Sequence, residues 1–454
     1  MKNLLKSKLP PGPNPKIPLT NLFTFRKDSL SFLKKMADEY GDIVHFKLGP
    51  FRVVLLNHPD FIKQVLSTQH SNFVKGRPLK MAKELMGEGL LTSEGELHKR
   101  QSRIIQPAFG RKMMDQYAPA MTFYANNLMN KWNDGMTVNV LSEMVEMSVE
   151  IAGKTMFSID IIKEVPEITQ ALEKIMLLFG RITLPFSEYL IKLPLPSTYR
   201  FYKAKAQLDN IIYKIINARR KCRLDNGDLL SLLLKAQDQI GIKGGMTDQQ
   251  IRDQALTLFL TAFDTTSLAL SWTWHLLSQN PEAEHKLHNE LDNVLEGRLP
   301  TIDDIPKLVY TKMVFAESMR IYPPIYIIAR QAMEEFSISN YIIPAGALVL
   351  MSPYLIHHDD RFHHDPERFN PDVWGNKNAY QQSRFDYFPF SRGGRSCIGQ
   401  HYAWLEGILV LASIAQYWRL EKVPNNPVEI EQLINLRPKN GIKMKLSRRK
   451  EQKI

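Results

Sequence analysis

A single mainly helical domain with a smaller β-rich lobe is the fold class this sequence predicts, and three observations carry that expectation. The chain has 454 residues, 44% hydrophobic and 23% charged, enough to bury a large core. Apolar-periodic stretches of helical length fill its middle, whereas short strand-like runs with turn signals gather near residues 43–56 and after Pro323. No change of composition, Ser/Gly linker, internal repeat or low-complexity tract divides it.

Residues 1–18 form a short charged start and then a Pro-rich arm, and residues 19–60 with 323–352 are expected to supply the β lobe. No apolar run at this end approaches the roughly 18 residues of a membrane helix, and none has the form of a secretory signal. No transmembrane anchor and a cytoplasmic location are therefore expected. Asp28 to Tyr40 reads as an amphipathic helix, Ile43–Leu48 and Arg52–Leu56 as a hairpin around Gly49-Pro50, and Pro59-Asp60 as the opening of a short helix. Helical patterns run roughly from Tyr117 to Lys235. Within them, Ile175 to Phe186 is apolar, contains Met176 and is broken by Gly180 and Pro185. That suits a mobile access lid over an oily pocket, and equally an ordinary helix core.

A long apolar helix is expected from roughly Gln249 to Gln279, ended by Pro281. Its middle, Leu260-Thr261-Ala262-Phe263-Asp264-Thr265-Thr266, places poor helix formers inside a buried helix. Either the hydroxyls satisfy themselves by bonding back to the preceding turn, or they loosen the helical ladder and open a groove. Next, Glu317-Ser318-Met319-Arg320 sets an acid and a base three apart on one helix face between apolar flanks. A buried pair needs full partnering, and Arg368 of Pro366-Glu367-Arg368-Phe369 is the natural third member. The run His357-His358-Asp359-Asp360 with His363-His364-Asp365 could be taken for a metal site, but charged His-rich loops are more often solvated and no helical spacing orients these rings.

The segment that carries most chemistry is Phe390-Ser391-Arg392-Gly393-Gly394-Arg395-Ser396-Cys397-Ile398-Gly399. A thiolate that holds a metal needs amide hydrogen bonds from a tight loop, which Gly393 and Gly394 permit. The apolar-periodic run from Ile398 to Leu411 reads as a helix starting at the sulfur, so free N–H groups and a partial positive charge face it. Gly399 clears the first turn for a flat macrocycle, Arg395 is placed to pair an anionic substituent, and Phe390 can shield the sulfur. A lone Cys before a helix would otherwise read as a small core residue.

This segment resembles the haem-ligand signature of the cytochrome P-450 family of haem-thiolate monooxygenases, and the resemblance runs from about Leu9 almost to the end. It implies that family's fold, a helical prism around a buried haem b, with Cys397 as the iron ligand. It further implies that Glu317, Arg320 and Arg368 form a structural triad and that Ala262, Asp264 and Thr265 line the oxygen-binding groove. Asp264 would relay protons and Thr265 would deliver them. Thr261 and Ala262 stand where Ala and Gly are usual in the family. Gly95 to Phe109 resembles the family's basic helix, with His98 at the propionate-binding position. Ser102 replaces the following Arg, so Arg100 or Arg103 would have to substitute. Arg330 matches the residue that reaches the other propionate. By family position, Phe73, Met86, Phe259, Ala262, Phe263 and Ile325 are pocket candidates. The region from Tyr322 to Arg330 with Leu350 to Tyr354 resembles bacterial members acting on fatty-acid, terpenoid or carotenoid-like molecules.

Composition bounds the partners. Two cysteines, Cys222 and Cys397, exclude a disulfide scaffold and a fused iron–sulfur carrier. Gly87-Glu88-Gly89 lacks the third glycine and preceding strand of a nicotinamide site. Electrons are therefore expected from a separate ferredoxin or flavodoxin with its reductase. The net charge of +12, with Lys99, Arg100, Arg103, Arg111, Lys112 and Arg392 on the thiolate side, would steer such an acidic carrier. Nothing supports nucleic-acid binding as the reason for the basic balance, and a monomer is expected. Two other readings stay open at this point: a peroxide-driven peroxygenase, and a non-catalytic haem sensor. Asp264-Thr265 argues for oxygen activation, since the family's peroxygenases carry Arg-Pro there.

Overall fold

The computed structural model describes residues 9–14, 19–179, 193–222, 225–238, 245–375 and 385–449. Its helices, in chain order, are α1 (Thr20–Lys27), α2 (Ser29–Tyr40), α3 (Pro59–Lys63), α4 (Arg77–Met86), α5 (Gly95–Ile105), α6 (Arg111–Met129), α7 (Val140–Phe157) and α8 (Val165–Phe179). They continue with α9 (Pro196–Cys222), α10 (Leu229–Asp238), α11 (Asp248–Leu277), α12 (Pro281–Leu295), α13 (Val309–Ile321), α14 (Pro353–His357) and α15 (Gln400–Tyr417).

Local chemistry sets several of the boundaries. Asp28 caps α2 by accepting the Ser31 N–H at 3.0 Å, so the expected start at Asp28 is the cap itself. Thr247 and Gln250 form a reciprocal capping box at the start of α11. Pro281, which cannot continue α11, instead opens α12 at its first turn.

The strands are β1 (Ile43–Leu48), β2 (Phe51–Leu56), β3 (Phe73–Lys75), β4 (Thr137–Asn139), β5 (Ile328–Ala332), β6 (Phe336–Ile338), β7 (Tyr341–Ile343), β8 (Leu348–Met351), β9 (Trp418–Lys422), β10 (Ile430–Gln432), β11 (Leu436–Pro438) and β12 (Lys443–Arg448). The largest sheet has the order β1-β2-β8-β5-β3. β2 and β8 pair in parallel, Val53 to Leu348 through Leu56 to Met351, which joins the expected hairpin to the strands after Pro323. β3 closes the sheet against β5. The His45 N–H donates to the Pro11 carbonyl at 2.8 Å, so the described part of the Pro-rich arm lies along β1. The helical stretch expected from Tyr117 to Lys235 is interrupted by β4, which pairs with β12 near the far end of the chain. A three-residue strand is too short to show an alternation in sequence.

α11 runs through the helical part, packed against α7, α9, α13 and α15. The core there is continuous, from Leu85 on α4 to Leu446 on β12, and a second core under the sheet includes Phe73, Ile328, Val349 and Phe388. Phe388 lies just ahead of the cysteine loop, so that loop springs from the sheet-side core and ends in a helix of the helical core.

Candidate active site

The loop before α15 turns at Ser391 and Gly393, both left-handed, with φ of 58° and 72°. A Cβ on Gly393 would lie 1.8 Å from the Leu66 carbonyl oxygen, so only glycine fits. The Cys397 N–H closes the loop on the Phe390 carbonyl at 2.9 Å, and the Ser396 N–H closes on Gly393 at 3.0 Å. α15 begins at Gln400 with Gly399 as its N-cap, which sets its first N–H groups beside the sulfur. Burial pushes the Cys397 thiol above its ordinary range, and the Gly399 N–H opposes this. Yet Cys397 keeps accessible surface. At Gly399 a Cβ would meet only ordinary contacts, 3.6 Å to Phe109 and 3.9 Å to the Cys397 sulfur, so packing between protein atoms does not require glycine there.

The same pattern recurs on α11. From Ile251 to Leu277 every residue is buried except Thr261, Ala262, Asp264 and Thr265. Spaced at i, i+1, i+3 and i+4, they form one strip that keeps accessible surface on an otherwise buried core helix. The Thr265 hydroxyl donates to the Thr261 carbonyl at 3.2 Å, Thr261 donates to Thr257 at 2.8 Å, and Thr266 donates to Ala262 at 3.1 Å. The helix is continuous through them. Of the two expectations for these hydroxyls, back-bonding is what occurs: a carbonyl has two lone pairs, so it accepts the hydroxyl without losing its helical N–H. Asp264 has partners that sequence reasoning missed. Asn435, on the turn between β10 and β11, donates to one carboxyl oxygen, and Arg437 on β11 stands 3.9 Å from the other. Burial raises the Asp264 pKa, with Arg437 and Asn435 opposing.

A cationic cluster flanks the cysteine loop. Lys75 and Arg330 sit directly opposite each other on β3 and β5, and both are buried, 8% and 7% exposed. Like charges facing across a ladder are unfavourable. Arg395 adds a third cation and is tied to the turn before α5, pairing with Glu94 and donating to the Ser93 carbonyl at 3.0 Å. Burial, then Arg395 and Arg330, bring the Lys75 pKa down to about 7. Burial and Arg395 bring Arg330 to about 10, and Glu94 opposes both shifts. Burial, Arg395 and Lys75 push His98 down to about 4, so this imidazole is neutral beside the cluster. Lys75 and Glu94 carried no signal of their own in the sequence, because strand pairing brings Lys75 to Arg330 and tertiary contacts with the Lys75 N–H and Arg395 bring Glu94 there. Arg103 is exposed on α5.

Gly87-Glu88-Gly89 has a structural explanation. The Glu88 N–H donates to Asp253 at 2.8 Å and the Leu90 N–H to Gln254 at 2.9 Å. A Cβ at Gly89 would lie 2.0 Å from the Thr257 hydroxyl. The two glycines let the strap that carries Ser93 and Glu94 press against α11.

The Glu317–Arg320 pair is buried and joined at 2.8 Å. The third member departs from expectation: Arg368 takes part through its backbone carbonyl, 3.0 Å from an Arg320 nitrogen, while its side chain is exposed. Glu317 is completed instead by the Asn370 N–H at 3.0 Å and the Trp374 indole at 2.8 Å. A rigid amide and an indole cap the carboxylate at less entropic cost than a second long arginine would. His357 is fully buried and accepts the Phe388 N–H at 3.1 Å. Among the described residues no His, Cys, Asp and Glu group could hold a metal ion.

Three pocket candidates are core residues. Phe73 packs edge-on against Phe336 at 4.9 Å, and Phe259 lies between Phe157 and Phe263 at 5.8 and 5.4 Å. Phe73, Phe259 and Phe263 are 8%, 2% and 1% exposed, so their rings are spent on packing. Met86, Ala262 and Ile325 keep accessible surface. Most of the proposed lid, from Gly180 to Phe186, lies outside the described residues. A surface hollow of about 670 Å³ against α12, lined by Glu284, His288, Arg419 and Arg449, shares no residue with this site.

A glycine-turned cysteine loop, a Thr-rich strip that keeps accessible surface on a core helix, and cations in excess of acids beside the loop suit a flat, dianionic, thiolate-ligated macrocycle. Such a site, built into a mainly helical chain with one five-stranded sheet, defines the class of haem-thiolate oxidoreductases. Residues 10–446 match the cytochrome P450 family model, and the chain belongs to that family; it is a monooxygenase. The chain is 36% identical over 401 residues to a cyclooctatin synthase of Streptomyces melanosporofaciens, covering 88% of this chain and 87% of the relative. It is 35% identical over 397 residues, 87% and 86% of the two chains, to the cyclooctat-9-en-7-ol 5-monooxygenase of the same organism. A pentalenene oxygenase of Streptomyces avermitilis is 29% identical over 422 residues, 92% and 93% of the two chains. No helix among the described residues is long and apolar enough to cross a membrane.

Proposed function

We propose that this monooxygenase holds haem b through Cys397 and hydroxylates or epoxidises a terpenoid-like lipophilic substrate, with electrons from a separate ferredoxin or flavodoxin and its reductase. The observation that carries the cofactor assignment is the Lys75–Arg330–Arg395 cluster, in which Lys75 and Arg330 are buried, Arg395 is half-buried and Glu94 is the acid that partly offsets them among the described residues. Two propionates would neutralise it, with His98 as a further hydrogen-bond donor. The haem, when bound, supplies the activation of dioxygen. This chain's residues supply the rest.

The loop amides and the positive end of α15 favour the ionised sulfur, reversing the effect of burial once a cation is present. Thr265, whose proton points at the Thr261 carbonyl, leaves its oxygen lone pairs free to receive a hydrogen bond from an ordered water. Asp264, one residue before it, holds the proton to be relayed. Ala262, Met86 and Ile325 present apolar surface to the substrate. Terpenoid-related names of the relatives support the substrate class. For electron delivery, exposed Arg111 and Lys112 open α6 one residue beyond Phe109, after Gly110, and the Phe109 ring lies near Gly399, so an acidic carrier would dock close to the sulfur.

Two measurements test the reading. The haem-loaded, reduced protein should give the red-shifted carbon monoxide band, and Cys397→Ser should abolish it. A panel of terpenes and fatty acids should then give ligand-binding difference spectra, with shifts for elongated apolar compounds; shifts confined to small polar ligands would refute the substrate class.

A further inference from the structure

The turn between β10 and β11 is anchored on every side. The Trp272 indole, eight residues beyond Asp264 on the same helix, donates to the Leu436 carbonyl at 3.0 Å. The Leu436 N–H donates to Pro324 at 2.8 Å, and the Tyr326 hydroxyl donates to the Leu433 carbonyl at 3.0 Å. Asn435, held between these anchors, is 1% exposed. Its amide nitrogen bonds the Asp264 carboxyl, but its amide oxygen is buried without a partner among the described residues. An unused buried acceptor is costly, so its retention asks for a state in which it is used.

A carboxyl that relays protons needs two kinds of partner in turn. As a carboxylate it only accepts hydrogen bonds; as the acid it also donates one. Arginine or lysine can serve only the first state. An amide serves both, offering its N–H groups to the carboxylate and, after a half-turn about its last side-chain bond, its oxygen to the acid's O–H.

We propose that Asn435 is a positioning residue for proton delivery, complementing Asp264 in both of its protonation states, with Arg437 biasing the pair toward the ionised one. The inference rests on Asp264 being the relay acid of the proposed function. Burial favours the protonated form, and Arg437 and the Asn435 amide favour the ionised one. In each cycle the carboxyl loses one proton toward the Thr265 side and regains one from water, while Asn435 turns over and back. The anchoring of its backbone restricts that movement to the amide.

The test uses the full-length haem-loaded ferric protein and infrared pH-difference spectra, in which Asp264→Asn identifies the Asp264 carboxyl band by its loss. In Asn435→Leu the titration midpoint should move upward, because a hydrogen bond to the charged form is lost. The protonated-carboxyl band should move to higher frequency, because the acid loses its acceptor. Arg437→Met should raise the midpoint and leave the band position unchanged, and Asn435→Gln should restore both in part. In turnover, the pH profile of the product-to-peroxide ratio in Asn435→Leu should move with the midpoint. An unchanged titration and band in Asn435→Leu, with Arg437→Met equally silent, would overturn the proposal. So would a shifted titration with an unmoved pH profile. A product-to-peroxide ratio indifferent to Asp264→Asn would instead overturn the relay reading and leave the carboxyl–amide pairing standing.

Discussion

Glu317 on α13 and Asp264 on α11 are carboxyl groups on two packed core helices, and they are outfitted in opposite ways. Each oxygen of Glu317 receives two donors: Arg320 and the Asn370 N–H on one, Arg320 and the Trp374 indole on the other. Asp264 has one amide donor and a guanidinium 3.9 Å away. Four donors fix a carboxylate in one charge state and one geometry, which suits a lock. Two partners of unequal reach, with burial pulling the other way, leave a carboxyl free to change state. The number and kind of donors thus separates a structural acid from a chemical one.

The comparison breaks first at Glu317. Glu317→Ala should cost about 3–5 kcal/mol, since it strands the buried Arg320 charge, and chemical denaturation of the haem-loaded protein would read the loss. A cost below about 1 kcal/mol would mean that the pair is not a lock.

Asp264→Asn should do the reverse. Its stability should stay within about 1 kcal/mol of the parent, while the product-to-peroxide ratio falls by about 100-fold, the usual scale of general acid catalysis. Equal losses in stability and coupling would erase the distinction.

Trp374→Phe sharpens the count of donors. It removes one of four hydrogen bonds to a charged group, so a loss of about 1.5–3 kcal/mol in stability is expected, with no change in coupling.

The smallest effect concerns a third acid, Glu406 on α15, buried and, among the described residues, hydrogen-bonded by the Ser148 hydroxyl at 2.8 Å. Burial raises its pKa to about 8. The folded protein therefore holds a proton that the unfolded chain releases near pH 4.5, and stability falls as pH rises from there to about 8. Glu406→Gln should flatten that fall in melting temperature between pH 5 and pH 8; an unchanged slope would show that Glu406 is ionised when folded.

Legibility in the sequence followed the range of the interaction. Gly393, Cys397 and Gly399 are read directly because loop, sulfur and helix start lie within one turn of each other. The helix boundaries at Asp28 and Pro281 are equally local. Arg368 misled because spacing predicts which segment meets Glu317, and Arg320 does meet that segment, but through the backbone carbonyl of Arg368. That Phe73 and Phe259 pack against the rings of Phe336 and Phe157 was not legible either, because those contacts join residues far apart on different elements. Lys75, Glu94, Asn435 and Arg437 were invisible, since each functions through a neighbour far away in the chain.

Taken alone, the sequence determined the mainly helical class, the cysteine loop, the helix that starts beside it and the strip Thr261 to Thr265, because each is written in residues a turn or two apart. Only the tertiary structure decided which charges face one another: strand pairing set Lys75 against Arg330, and the turn between β10 and β11 brought Asn435 and Arg437 to Asp264. Electrostatic environment depends on distance in space, and a chain of this length can bring any two of its residues together.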